Sequence, residues 1–220
     1  MTPVFDPAAY GDSCAEYYDQ IYPAIEHGII ANLIDLGHGG PVLDLGLGTG
    51  RVALELAGAG IDVHGIEASR TMVAEFRKKP GSDSIRVIEG DFATADYGGN
   101  YQLIFSLVSS FYLQTSLARQ RMCFGNLARH LERSGAFVIE ASLDGQSFPE
   151  ARSYSHTIST SSGLRLYEVT TLATPIDLLD QMAEEVGLTL FFRWSDWSRT
   201  PYQARAPRHI SGYRFAEPSI

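Results

Sequence analysis

Short apolar runs alternate along this chain with longer stretches in which apolar positions recur every three or four residues. These are the periods of buried strands and amphipathic helices. Residues 43–45, 62–66, 86–89 and 103–107 read as four strands, 136–141 as a fifth, and 188–194 and 209–215 as a final pair. Helices fall at 15–20 and 25–36, broken at Pro23, then at 51–59, 69–78 and 117–130. Ser69 is the N-cap of its helix. A last helix at 176–186 keeps Ile176, Leu179, Met182, Ala183 and Val186 at helical spacing. Strands alternating with helices imply a doubly wound, mostly parallel sheet with helices on both faces. The loop before 209–215 is too short for a helical crossover, so the last two strands should be antiparallel. Residues 154–160 and 165–171 alternate and read as a hairpin around Ser161-Ser162-Gly163.

With 220 residues and no repeat, linker or low-complexity tract, the chain reads as one domain over 1–220. Residues 1–9 read as a loose end, 10–40 as an N-terminal helical cap, and 144–174 as a short insert. Hydrophobic content of 45% is ordinary for a buried core. A net charge of −9 argues against a nucleic-acid partner, which needs cations to neutralise phosphates. Arg77-Lys78-Lys79 reads as cations at a helix C-terminus. Cys14 and Cys123 stand far apart, and the histidines at 27, 38, 64, 130, 156 and 209 never pair at ligand spacing, so no metal is expected. No basic start followed by an apolar run marks a leader, and no apolar run approaches a membrane span. The expectation is a cytoplasmic protein without a membrane partner.

The chemistry concentrates where the first strand ends. Asp44 is followed by Gly46, Gly48 and Gly50, a turn whose backbone can approach a ligand closely. Glu67 closes the next strand, about 20 positions on, where an acid can take both hydroxyls of a ribose. A nucleoside-containing cofactor is implied. The nicotinamide fingerprint wants its third glycine at Arg51, and no Lys-Ser/Thr follows to make a phosphate loop.

The D-x-G-x-G-x-G spacing resembles the first motif of class I S-adenosylmethionine (SAM)-dependent methyltransferases, here of the small-molecule type. The likeness continues through Val87–Phe92, Tyr101–Ser106 and the helix-turn-strand from Leu127 to Glu140, covering roughly residues 10–145. The family's fourth strand usually opens Phe-Asp, where this chain has Tyr101-Gln102. The resemblance implies a Rossmann-like seven-stranded sheet with one antiparallel strand near its edge. It implies SAM as cofactor and S-adenosylhomocysteine as product. Asp44, Gly46, Gly48 and Gly50 would flank the methionine part, Glu67 the ribose, and Ala68, Asp91 and Phe92 the adenine. Leu107 and Val108 would face the methionine, and Tyr17 or Tyr22 would close over the cofactor.

Ser109, Ser110, Tyr112 and Gln114 are placed after the fourth strand to face an acceptor, with Trp197 and Tyr202 as further walls. No Asn-Pro-Pro-aromatic motif is present. Methyl transfer is an in-line displacement accelerated largely by positioning. A base is needed only where the acceptor must lose a proton. Glu140, at a strand end, and His156, on the hairpin, are the foremost candidates, with His27 and His209 behind them. The function expected is O- or N-methylation of a small molecule. The alternative is a SAM-binding enzyme of the same fold that performs a rearrangement or cyclisation. The short insert leaves three options: an open site, a site for a large acceptor, or a site completed by a second copy in a homodimer.

Overall fold

The computed structural model describes residues 5–143, 150–160, 163–204 and 206–216. Seven strands form one sheet: β1 (Val42–Leu45), β2 (Val63–Glu67), β3 (Arg86–Glu89), β4 (Tyr101–Ser106), β5 (Leu131–Ser142), β8 (Leu188–Trp194) and β9 (Arg208–Phe215). Their order is β3-β2-β1-β4-β5-β9-β8. All are parallel except β9, which runs against both β5 and β8, one place in from the edge. The central strands carry uninterrupted apolar residues because both faces are covered. Leu43, Ile104, Phe137 and Ile139 pack beneath α6 (Leu117–His130) and α7 (Ile176–Glu184). Leu103, Phe105 and Val138 pack beneath α3 (Ile29–Gly37) and α4 (Arg51–Gly58), with Phe76 of α5 (Arg70–Arg77). Among the described residues no helix is long and apolar enough to cross a membrane.

The expected strands and helices are present, with displaced boundaries. The stretch expected as one helix over 25–36 starts at Ile29, because Gly28 is left-handed (φ 95°) and sits against the Trp197 carbonyl. The expected helix at 15–20 is a 3-10 turn, Ala15–Tyr17, running into α2 (Tyr18–Ile21). Before it, α1 (Ala9–Cys14) begins inside the segment read as a loose end. Ser69 caps α5 as expected, its side chain accepting from the Met72 amide. Tyr101 and Gln102, the departure at the start of β4, serve packing: the Tyr101 hydroxyl donates to the Tyr97 carbonyl and Gln102 bonds Ser134. β6 (Arg152–Thr160) and β7 (Gly163–Thr171) form the hairpin; Ser161 and Ser162 lie outside the described residues.

Strand order reverses between β1 and β4, so the loops leaving these strands diverge and open a crevice at their carboxyl ends. The hairpin and the N-terminal helices stand over that crevice, α1 packing on β7 and α5. Tyr10 and Tyr17 meet Tyr167 there.

Candidate cofactor and acceptor site

The glycine turn after β1 faces the segment after β4. Gly46 and Gly48 have positive φ (88° and 57°), and a Cβ on Gly46 would stand 3.2 Å from that of Ser110. The turn is therefore a bare backbone surface. Gly50 does something else. A Cβ there would lie 2.3 Å from the buried Phe76 ring, so the third glycine lets α4 and α5 pack and does not itself face the slot.

Glu67 reaches back under the turn. Its Oε2 accepts from the Gly48 amide and its Oε1 from the Ser69 amide, each at 2.8 Å. Burial raises its pKa, and these amides oppose the rise. Gly46, Gly48, Glu67, Ala68, Asp91 and Phe92 line one continuous slot, joined by Tyr18 and Gln114. Asp91 is held by the Arg119 guanidinium, by Gln114 Nε2 at 3.0 Å and by the Ala93 amide at 2.9 Å. Phe92 is buried, and its carbonyl takes bonds from Tyr97 and Asn126.

The slot's other end is formed by Asp44, Leu47, Arg51, Leu107 and Tyr18. Asp44 is 6% exposed, and among the described residues nothing hydrogen-bonds to its carboxylate. Burial, then the like charge of Glu67, push its pKa up to about 8, against a partial pull from Arg51. A buried carboxylate without a bonded cation fits an ammonium ligand. Arg51 donates to the carbonyls of Tyr22 and Ala24 and lies over the rings of Tyr18 and Tyr22, 5.9 and 5.6 Å from their centroids. The slot thus offers Asp44 and Arg51 at one end, the Glu67 carboxylate at the glycine turn, and Asp91 with Phe92 at the other end.

These features agree with the comparisons. Residues 42–135 match the family described as a methyltransferase domain. Over that stretch the chain is similar to SAM-dependent methyltransferases. The cypemycin N-terminal methyltransferase of a Streptomyces species is 28% identical over 139 residues, which are 61% of this chain and 57% of that protein. The chain thus spans little more than half the length of that relative. The CcbJ methyltransferase from Streptomyces caelestis superposes with a TM-score of 0.84 at 28% identity, covering 97% of this chain and 100% of that one. SAM-bound CalS10, an amino pentose methyltransferase from Micromonospora echinaspora, superposes with a TM-score of 0.65. At 17% identity, covering 90% of this chain and 96% of that one, it shares the fold.

A second cavity of about 350 Å³ adjoins the slot. Six tyrosines line it: Tyr10, Tyr18, Tyr22, Tyr112, Tyr154 and Tyr167. His156, Val108, Ser109 and Ser110 complete much of the wall, and no Asp, Glu, Lys or Arg is among its described lining residues. Tyr10, Tyr18 and Ser110 are shared with the slot. Burial raises the pKa values of Tyr10 and Tyr18; Tyr18 and Tyr22 raise Tyr10 further and Tyr22 raises Tyr18, so both stay neutral. Tyr112 turns its hydroxyl away from the chamber to the Thr174 carbonyl (3.1 Å) and His209 Nε2 (3.3 Å).

Several expectations need correction. Tyr17 does not reach the slot: it is buried against Tyr167 and its hydroxyl donates to the Ser13 carbonyl. The helical turn puts the next residue, Tyr18, into the slot wall instead. Tyr22 lines the acceptor chamber and stacks near Arg51. Gln114 belongs to the cofactor slot, while Ser109, Ser110 and Tyr112 do line the chamber. Trp197 is in the core, its indole donating to Glu140 at 3.3 Å, and Tyr202 is not a chamber residue.

Glu140 is 6% exposed; its carboxylate also meets Arg208 at 3.0 Å and the Val108 amide at 3.3 Å. Both oxygens are thus engaged by donors. His156 is exposed on β6 at the chamber wall, stacked on Tyr167 with centroids 5.2 Å apart. His209 is fully buried and pushed down to about 3 by burial and by Arg193, out of reach of the chamber. Sequence reading missed Tyr10, Tyr18, Arg51, Tyr154 and Tyr167. Tyr18 stands directly after Tyr17, one of the two tyrosines singled out, and Arg51 was noted only as breaking a nicotinamide fingerprint.

Proposed function

We propose that this enzyme transfers the SAM methyl group to an amine nitrogen of a small-molecule acceptor. The carrying observation is the chamber beside the cofactor slot: tyrosine-walled, neutral, and large enough for a compact organic molecule. Aromatic faces attract an ammonium without a carboxylate's charge. An amine held this way can still shed its proton and present a lone pair. A carboxylate wall would keep it protonated. An alcohol must lose a far less acidic proton as it attacks, and the chamber offers no strong base for that.

Bound SAM supplies an electrophilic methyl carbon on a cationic sulfur. Asp44 and Arg51 hold the amino-acid end, Glu67 holds the ribose, and Asp91 with Phe92 holds the adenine. Tyr18 and Ser110 stand between slot and chamber and align the nitrogen with the methyl carbon. His156 puts an imidazole on the chamber wall at the solvent side of β6, so it takes the amine proton and passes it to solvent. The name of the 28%-identical cypemycin relative, an N-terminal methyltransferase, supports nitrogen as the acceptor atom. Low net basicity supports a partner other than nucleic acid.

The test is purified protein with SAM and two matched panels, cyclic and open-chain amines against their alcohol counterparts. S-adenosylhomocysteine and product mass are read together. Amines gaining one methyl while alcohols stay unchanged is the expected result. Product from alcohols alone, or an acceptor altered without a mass gain, would sink the assignment.

A further inference from the structure

The wall between slot and chamber is a strained turn. Val108 and Ser109, directly after β4, both have positive φ, 51° and 62°. For a β-branched residue this is a steric outlier, since its Cβ crowds the following carbonyl. Such conformations persist only where the surroundings over-determine them. Val108 borders the methionine end of the slot on one side and the acceptor chamber on the other.

What holds the turn can be traced atom by atom. The Val108 amide donates to Glu140 Oε2 at 3.3 Å, and the Ser109 amide donates to the Glu140 carbonyl at 3.1 Å. The Ser142 amide donates to Ser109 Oγ at 3.0 Å. Glu140 Oε1 accepts from Arg208 Nη1 at 3.0 Å and from Trp197 Nε1 at 3.3 Å. Arg208 grips Glu26 with two bonds of 2.6 Å. A chain of charge-assisted contacts therefore runs from the N-terminal segment through β9 to the turn.

We propose that Glu140 is a positioning residue that holds the Val108–Ser109 turn in its left-handed conformation and, through it, shapes the methionine end of the cofactor site. It is not a proton acceptor in the reaction. Both carboxylate oxygens already receive donors, and the side chain is closed off from the chamber by the turn it supports. The inference rests on the cofactor site and not on the amine reading, so either can fail without the other.

The experiment is a double-mutant cycle on S-adenosylhomocysteine affinity, measured by titration calorimetry with Glu140→Gln, Val108→Gly and both together. No acceptor is required. The amide of Glu140→Gln sets a donor against one of three donors, so the turn loses part of its hold and affinity should fall about tenfold. Glycine adopts positive φ freely, so in the Val108→Gly background the same change should cost less than about threefold. Equal losses in both backgrounds would overturn the proposal. So would an undiminished affinity in Glu140→Gln with a wild-type near-UV spectrum, the result for a base or a bystander. If Glu140→Gln does not fold, Arg208→Lys goes through the same cycle under the same two criteria. It keeps the carboxylate but removes the guanidinium fork.

Discussion

Replacing Asp44 with asparagine separates the charge of the cofactor site from its shape. Burial and Glu67 raise the carboxyl from 3.8 to about 8 in the folded protein. As pH rises, the unfolded chain releases this proton first. The stability tied to Asp44 is therefore intact below about pH 4 and is lost progressively up to about pH 8. Linkage over that span puts the loss at pH 7 at about 1–4 kcal/mol, the lower figure applying where water and Arg51 relax around the charge. Asparagine cannot ionise, so the variant's melting temperature should change less between pH 5 and pH 8 than the wild type's. For a chain of this size each kcal/mol is worth about 2–4 °C. The ligand's ammonium meanwhile loses its counter-charge. A charge-assisted bond of about 1.5–3 kcal/mol corresponds to roughly 10- to 100-fold weaker S-adenosylhomocysteine binding. Calorimetry in buffers of different ionisation enthalpy adds a sharper readout. The wild type should release nearly one proton on binding at pH 7, because the arriving cation pulls Asp44 into its ionised form, and the variant should release none. A variant whose stability falls with pH as steeply as the wild type's, or that binds with unchanged affinity, would refute the reasoning.

Two further substitutions probe the same framework. Glu67→Ala removes the carboxylate that accepts from the Gly48 and Ser69 amides and, in the proposed site, from the ribose. S-adenosylhomocysteine affinity should drop about 10- to 100-fold, and wild-type affinity by calorimetry would remove Glu67 from the site. Gly50→Ala places a Cβ 2.3 Å from the Phe76 ring at φ 74°. Left-handed strain of about 1–2 kcal/mol and overpacking of about 1–3 kcal/mol add, so thermal unfolding should come roughly 4–20 °C earlier. A shift under about 1 °C would mean that α4 and α5 are not packed as described.

Much of the fold was legible because its strands and helices carry their own periods. The run 117–130 was read as a helix from spacing alone and is one from Leu117 to His130. Boundaries went astray where a single backbone contact decided them. Gly28 delays α3 because it sits against the Trp197 carbonyl, 169 positions along the chain, and no local pattern carries that information. Glu67, Ala68, Asp91 and Phe92, expected around a cofactor, share one slot, since a strand end fixes both the position and the direction of the residues next to it. Tyr17 was misplaced by one residue, and on a helix one residue is about 100° of rotation, enough to exchange core for crevice.

By itself the sequence determined the class of chemistry. A strand, a glycine turn, a helix and an acid at the next strand end are local geometry, and local geometry suffices to place the slot where the sequence put it. The tertiary structure decided what stands around it. Tyr10, Tyr18, Tyr112, Tyr154 and Tyr167 lie on separate segments and form one chamber only when the N-terminal helices, the loop after β4 and the hairpin close over the same crevice. Glu140 looked like a base because strand ends face the crevice. The fold surrounded it with Trp197, Arg208 and the Val108 amide, and a carboxylate's role is set by the donors it meets, which arrive from distant parts of the chain.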